Sequence, residues 1–295
     1  MTAATQAALL RLATRGSALA RAQAALAAAA IRHAGGPEAD LVIVRTGGDL
    51  NQTTPVEQME GQGWFTAEIE RALLDGRADI AVHAAKDLPT ELAGGLEVAG
   101  VLARADPRDA LVTRDGGGVQ SLLDGATVGS SSARRAALLA VLRPGVRSVP
   151  IRGNVDTRLR KLDAGEVDAL LLAAAGLDRL GLSERIGERL DPRTFVPAPA
   201  QGAIALEVVA GAAPFGAAAA AGDPPTALAV ATERGLLRAL GGGCLLPLGA
   251  WARVEDGALV LSAALGVEGT VRRAELGGDP RRPDELVARV AAALR

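Results

Sequence analysis

Short apolar runs alternate with helical segments through the first two thirds of the chain, and this alternation constrains the fold more than any other feature. The stretch 10–31 predicts a strand ending near Thr14, then Ser17 as an N-cap and an Ala-rich helix beginning near Ala18. The run 39–46 is predicted to form a buried strand, and residues 64–76 have helical spacing. Such alternation is typical of an α/β layer around a mostly parallel sheet, which binds ligands at the carboxyl ends of its strands.

Turn-rich segments divide the chain, which at 295 residues is longer than one hydrophobic core usually supports. We place one crossing between domains at 103–107 and a return crossing at 193–200. The predicted architecture is two α/β domains joined by these crossings, followed by a small α+β domain. The predicted bounds are 1–103 with the return segment 198–222 for domain 1, 104–197 for domain 2, and 223–295 for the C-terminal domain. Two crossings form a hinge, with a cleft that can close on a ligand.

Composition excludes some classes of function. The formal net charge is −2 and aromatic residues make up 2% of the chain, which argues against a nucleic-acid partner. No apolar run approaches the 18 or so residues of a membrane span, so no membrane partner is predicted. The low-complexity stretch 210–225 is predicted to be a linker or a surface helix.

Arginines and serines cluster where predicted strands end and helices begin. Helix N-termini favour anions, and the guanidinium group pairs with carboxylates and phosphates. The sequence therefore predicts a cleft for a ligand with many negative groups, although any one of these arginines, taken singly, is as well explained by a solvated surface. The residues at these junctions are Arg15, Ser17, Ser130, Ser131, Ser132, Arg134, Arg135, Arg152 and Arg158.

Lys86 and Asp87 follow the strand predicted at 80–85. The pair is either an ordinary salt bridge or, at the mouth of a cleft, a site where Asp87 exchanges protons or stabilises a developing cation. His33, near a helix end, and His83, inside a strand, are interpreted as structural. No metal-binding or nucleotide-binding motif is present.

Cys244 is the only cysteine and follows three glycines. A free cysteine is most often a small buried hydrophobe, and the leucines that follow favour this interpretation. The glycines favour a loop that leads to an attachment point, because glycine is tolerated where the chain bends or something approaches closely.

Seven motifs, in order, resemble the porphobilinogen deaminase (hydroxymethylbilane synthase) family over nearly the whole chain up to about residue 250. They are RLATRGSALARAQA, GWFTAEIERALLDGRADIAVHAAKDLPT, RADPRDALV, VGSSSARRAALL, IRGNVDTRLRKLDAGEVDALLLAAAGLDRLGL, PAPAQGAIALEV and GGGCLLPLGA. The resemblance implies a monomeric cytoplasmic transferase of tetrapyrrole (haem) biosynthesis, which condenses four porphobilinogen molecules into hydroxymethylbilane and releases four ammonia. It also implies that the first two domains are periplasmic-binding-protein-like.

The resemblance further implies a dipyrromethane cofactor joined by a thioether to Cys244, and Asp87 as the catalytic aspartate. The residues it assigns to the acetate and propionate groups are Arg15, Ser17, Lys86, Ser132, Arg134, Arg135, Arg152, Arg158 and Arg179. The chain departs from the family pattern at Ala84, where a serine is usual, at Leu245, where a polar residue is usual, and at Gln58 and Gln62, near places where relatives often carry lysines.

Two other classes of protein fit parts of the sequence. A two-lobed binding protein that closes on a carboxylated ligand explains the crossings and the arginines, but it does not explain the third domain or Cys244. A nucleic-acid-binding protein requires a basic surface and stacking aromatic residues, whereas this chain is slightly acidic and only 2% aromatic.

Overall fold

The computed structural model describes residues 9–47, 66–243 and 246–295. Over these residues, the strands form three sheets, two of five strands and one of three. No helix in these three ranges is long and apolar enough to cross a membrane.

The first sheet has the strand order β2-β1-β3-β10-β4. Four of its strands are parallel, and β10, which returns from the second sheet, is antiparallel to both neighbours. Helices cover both sides of the sheet, because Ile31 and Ala218 from two helices pack on one face and Ile69 and Leu73 from a third helix pack on the other. The elements are β1 (Leu10–Arg15), α1 (Ala18–His33), β2 (Ala39–Val44), α2 (Ala67–Leu74), β3 (Ile80–Ala84), β4 (Leu96–Val101), β10 (Ile204–Val209) and α6 (Phe215–Ala220).

The second sheet repeats this arrangement in the order β7-β6-β8-β5-β9. Its antiparallel strand is β5, which enters from the first sheet. The chain thus passes from β4 to β5 and returns from β9 to β10, which confirms the two predicted crossings. The elements are β5 (Asp109–Thr113), β6 (Thr127–Gly129), α3 (Ala133–Leu142), β7 (Arg147–Val149), α4 (Val155–Asp163), β8 (Ala169–Ala173), α5 (Ala174–Arg179) and β9 (Glu188–Arg189).

The third sheet is an antiparallel meander with two helices packed on it. Leu236 of the first helix and Val290 of the second pack against Leu261 in a single apolar cluster. This is the α+β arrangement predicted for the C-terminal part. The elements are α7 (Pro224–Ala239), β11 (Leu248–Glu255), β12 (Ala258–Val267), β13 (Thr270–Gly278) and α8 (Pro283–Leu294).

One local prediction needs correction. The strand β2 lies at the edge of its sheet, and its Leu41 and Ile43 are 38% and 47% exposed, so it is not the buried strand predicted from its apolar run. The low-complexity stretch includes α6, which buries only Ala218 against the sheet and is therefore a surface helix, one of the two predicted alternatives. The helix approaches β4 so closely that a Cβ on Gly100 would lie 2.1 Å from the Ala218 carbonyl oxygen, which explains why glycine stands there.

Candidate active site

The carboxyl ends of β1, β3 and β8 open onto a cleft between the first two sheets. Residues directly after or at the end of these strands line it, including Arg15, Asp87 and Ala173. Gly202 of the second crossing contributes to the wall, and the open cleft has a volume of about 100 Å³. The cleft therefore lies where strand ends of both lobes meet, as the sequence predicts.

Two of the predicted serines begin helices. The Oγ of Ser17 accepts a hydrogen bond from the Ala20 N–H at 3.3 Å, and the Oγ of Ser132 accepts one from the Arg135 N–H at 3.4 Å. Ser17 is the N-cap that the sequence predicts, and it lines the cleft. A cap uses the hydroxyl oxygen as an acceptor, so each O–H can still donate to a ligand.

Asp87 ends a short 3₁₀ turn, Ala85–Asp87, and its side chain is exposed at the cleft. Beside it, the half-buried Lys86 donates from Nζ to the Gln201 Oε1 at 3.4 Å. Burial lowers the pKa of Lys86 to about 8, and the positive charge of Arg135 acts in the same direction, while Asp87 opposes both. Lys86 thus changes its charge much closer to neutral pH than an exposed lysine does.

Arg134 and Arg135 are buried and share one carboxylate, that of the fully buried Asp109. Arg134 donates to it from Nη1 at 2.7 Å and Nη2 at 3.1 Å, and Arg135 from Nε at 2.8 Å. Burial raises the pKa of Asp109, but the attraction of the two guanidinium groups outweighs it and holds that pKa well below its usual range. The Nε of Arg134 is buried and has no hydrogen-bond partner within the described ranges.

Arg158 lies close enough to Arg135 and Asp87 for their charges to affect it. Its Nε donates to the Gly153 carbonyl at 2.8 Å. Burial and the positive charges of Arg135 and Arg152 together lower the pKa of Arg158 to about 10, and the charge of Asp87 opposes them. These interactions show that the second lobe brings its arginines close to the turn that carries Asp87.

Arg179 lines the cleft at the end of α5 and contacts the second crossing. Its Nη2 donates to the Gly202 carbonyl at 2.7 Å, and burial lowers its pKa. Gly202 has φ +88°, and a Cβ there would lie 2.6 Å from the Ala105 carbonyl oxygen in the first crossing. The two crossings are therefore in direct contact beside the cleft.

Sequence analysis missed the residues that tie the crossings to the third sheet. Glu233 of α7 is fully buried and binds Arg104 of the first crossing through two N–H···O bonds of 2.5 and 3.1 Å. It also accepts from the backbone N–H of Ala200 at 2.6 Å and of Ala252 at 2.7 Å. Gln201, also fully buried, donates from its side chain to the Pro107 carbonyl at 2.8 Å.

Asp109 was missed as well, although the sequence holds a signal for it. An Arg-Arg pair at a buried helix start needs a counter-charge, and Asp109 is the acidic residue that opens the apolar strand β5. His83, in contrast, is bonded as predicted, because its Nε2 lies 3.0 Å from the Oε2 of the buried Glu207.

Some predicted positions lie outside the described residues, namely Cys244, Leu245, Gln58 and Gln62. Ala84, the other departure from the family pattern, ends β3 and lines the cleft. Helix α7 ends at Ala239, and Gly241–Gly243 then lead directly to Cys244.

The resulting charge distribution favours an anionic ligand. Basic side chains outnumber carboxylates, and one of the carboxylates, Asp109, is already consumed by two arginines. Together with the unpartnered Nε of Arg134, this suits a cofactor or substrate with several carboxylates. No cluster of side chains in the described part of the chain could hold a metal ion. The basic residues in or beside the cleft are Arg15, Lys86, Arg134, Arg135, Arg152, Arg158 and Arg179.

Comparison with known sequences decides the family. Residues 10–215 match the family described as porphobilinogen deaminase, dipyromethane cofactor binding domain, and residues 227–295 match the porphobilinogen deaminase C-terminal domain. The chain belongs to the porphobilinogen deaminase family. Members of this family are transferases of tetrapyrrole biosynthesis, and the chain contains the domain that binds their dipyrromethane cofactor. The resemblance stated from the motifs is confirmed.

Curated porphobilinogen deaminases match over almost their full length. The enzyme of Acidothermus cellulolyticus is 45% identical, and the alignment covers 100% of this chain and 91% of that protein. The enzyme of Syntrophobacter fumaroxidans is 44% identical over 94% and 91%, respectively. Among solved structures, an ABC-transporter periplasmic substrate-binding protein from Coxiella burnetii aligns with a TM-score of 0.46 at 15% identity, over 77% of this chain and 97% of that one.

Proposed function

We propose that this chain catalyses the head-to-tail condensation of four porphobilinogen molecules into hydroxymethylbilane, with release of four ammonia. The observation that carries the proposal is the cleft itself. Among the described residues that line it, basic groups from both lobes surround a single exposed carboxylate, Asp87, in a chain that contains the dipyrromethane-binding domain of the family. Each pyrrole of the substrate and product carries two carboxylates, so a growing chain needs a large number of cationic partners.

We assign Asp87 the central role in each coupling. When ammonia leaves the aminomethyl group of the substrate, the ring becomes electron-deficient. The Asp87 carboxylate accepts a hydrogen bond from the pyrrole N–H and stabilises the positive charge. The methylene carbon then bonds to the free α-carbon of the terminal ring, and that α-carbon loses its proton. The side chain of Asp87 is exposed at the cleft and makes no hydrogen bond to another described residue, so its oxygens are available for this contact.

The basic residues hold the acetate and propionate groups. Arg15, Ser17 and Lys86 of the first lobe face Arg179 of the second across the cleft. Ser132, Arg134, Arg135, Arg152 and Arg158 extend this surface in the second lobe. The Nε of Arg134 and the O–H groups of the two capping serines supply uncommitted donors.

The dipyrromethane is proposed to be attached to Cys244 by a thioether and to supply the free α-carbon on which the first substrate unit is added. The glycines at 241–243 follow α7, which is bonded to both crossings beside the cleft through Glu233. This connection favours a loop that reaches the cleft, and it favours the attachment interpretation of Cys244 over the structural one.

Three further proposals follow the family. The domains are proposed to extend over 1–103 with 198–222, over 104–197, and over 223–295. The enzyme is proposed to act as a monomer and in the cytoplasm.

Intact-mass measurement of the purified protein tests the proposal. We expect an adduct of two pyrrole units on the wild type and none on Cys244→Ser. Asp87→Ala is expected to keep the fold and the adduct and to lose nearly all turnover of porphobilinogen. An active wild type without an adduct would refute the attached primer, and an active Asp87→Ala would refute the role of that carboxylate.

A further inference from the structure

We propose that Arg234 of α7 is a positioning residue for Asp87. It acts by holding the backbone that follows the aspartate, and it touches neither substrate nor cofactor in this role. The inference rests on the catalytic role proposed for Asp87. Arg234 itself lies outside the seven motifs that resemble the family.

The contact is a guanidinium clamp on two consecutive carbonyls. Arg234 donates from Nη1 to the Leu88 carbonyl at 3.1 Å and from Nη2 to the Pro89 carbonyl at 2.5 Å. Hydrogen bonds from an ionised donor are about twice as strong as neutral ones. Leu88 is itself buried, at 3% exposure, so the clamped segment is fixed by packing as well.

Asp87 depends on this support because no side chain among the described residues anchors its carboxylate. Its carboxylate is exposed and makes no hydrogen bond within the described part of the chain. Its position is therefore set by the backbone on either side. Upstream, the Ala85 N–H donates to the Ala203 carbonyl at 3.1 Å. Downstream, the clamp of Arg234 on Leu88 and Pro89 is the side-chain contact that fixes the chain.

Helix α7, which carries Arg234, is itself held in place by several hydrogen bonds. The adjacent residue, Glu233, is fully buried and binds Arg104, the Ala200 N–H and the Ala252 N–H. Neighbouring residues of one helix thus join the hinge segments, the third sheet and the turn that carries Asp87.

The same helix ends at Ala239, and the chain then passes through three glycines to Cys244. Arg234 therefore links the turn of Asp87 to the element from which the proposed attachment loop departs. Displacement of a reacting group by about 1 Å can cost roughly 100-fold in rate. The clamp is well placed to prevent such a displacement between Asp87 and the end of the growing chain.

The test compares Arg234→Gln with Arg114→Gln. Arg114 is a matched control, because it also donates to two backbone carbonyls, those of Leu162 and Val167, at 3.1 and 3.0 Å. It does so away from the cleft. For Arg234→Gln in the cofactor-loaded enzyme we expect kcat to fall by about 10- to 100-fold, with KM changed less than about threefold and the two-pyrrole adduct retained. Arg114→Gln should keep kcat near that of the wild type.

Two further variants separate positioning from simple loss of structure. Arg234→Lys retains a cation that reaches one carbonyl, so it should restore part of kcat. In an Asp87→Glu background, whose carboxylate is already misplaced, Arg234→Gln should lower kcat by a clearly smaller factor than in the wild type. An equal factor in both backgrounds, or a kcat for Arg234→Gln no lower than for Arg114→Gln, would overturn the inference.

Asp87→Ala, measured in parallel, separates this inference from the proposed function. If Asp87→Ala stays active, the proposed catalytic role fails, and the inference fails with it. If Asp87→Ala is inactive while Arg234→Gln turns over like the wild type, only the inference fails.

Discussion

Replacing Asp109 by asparagine should destabilise the second lobe far more than an ordinary surface substitution. Asp109 is fully buried, and its two oxygens accept three N–H bonds, two from Arg134 and one from Arg135, at 2.7 to 3.1 Å. An asparagine side chain has one oxygen and one NH₂ group. At least one guanidinium N–H would therefore face another donor, and two buried positive charges would have no counter-charge.

The expected cost follows from this geometry. Removing one partner of a buried ion pair costs about 3–5 kcal/mol, because the other charge stays buried and uncompensated. For a chain of this length, that corresponds to a fall in Tm of roughly 5–8 °C. The pKa of Asp109 is lowered in the fold, so its contribution is complete at neutral pH. It is lost only as the pH falls below the usual carboxyl pKa of about 4.

The assay is thermal unfolding at pH 7 with both substitutions made in the Cys244→Ser background, so that cofactor loading does not differ between the proteins compared. Asp163→Asn is the matched control. Asp163 pairs with Arg185 at 2.6 Å, but its side chain is 51% exposed, and such pairs contribute at most about 1 kcal/mol. If Asp109→Asn lowered Tm no more than Asp163→Asn, the buried triad would not have the energetic role assigned to it.

Two further predictions concern Lys86 and Glu233. The chain has only two lysines, Lys86 and Lys161. NMR titration of the Cys244→Ser protein should therefore show a lysine midpoint near 8, and Lys86→Arg should remove it. The free energy of unfolding should also rise as the pH increases from about 8 to 10.5, because in this range Lys86 holds its proton only in the unfolded chain. A midpoint at 10.5 would contradict the burial of its amine. Glu233→Gln should lower Tm by much more than Glu38→Gln does. Glu38 is the control, because its ion pair with Arg32 is exposed and has an N···O distance of 3.5 Å. Equal falls in Tm would show that the contacts between the crossings and α7 do not depend on the charge of Glu233.

The part of the fold that follows from local pattern was predictable from the sequence. The unit of β1, the N-cap Ser17 and α1 depends on residues that are neighbours in the chain, and the structure confirms it. The two crossings were predictable for the same reason, because turn-forming residues interrupt the pattern where the chain changes sheet. The polar residues at the helix starts lie together because parallel strands end at the same edge.

What the sequence did not reveal depends on contacts between distant segments. Glu233 meets Arg104 across 129 positions, and no periodicity in α7 distinguishes that glutamate from a solvated one. The exposure of β2 is set by its place at the sheet edge, and its run of apolar residues carries no information on strand order. The strand β13 was not predicted because Arg272, Arg273 and Glu275 interrupt the apolar alternation that is typical of a strand.

The two aspartates of the site show how burial assigns different tasks to one functional group. Asp109 lies between two arginines with no exposure, so its charge is fixed and its oxygens are consumed in orienting those side chains. Asp87 lies in the open cleft, and its position comes from the backbone that Arg234 clamps. The buried carboxylate of Asp109 neutralises the two arginines, so they can lie close together without strong repulsion. The exposed carboxylate of Asp87 is available to stabilise a cation that forms only during the reaction. The chemistry proposed here requires both, because a cleft that binds many anions would otherwise offer nothing to stabilise positive charge.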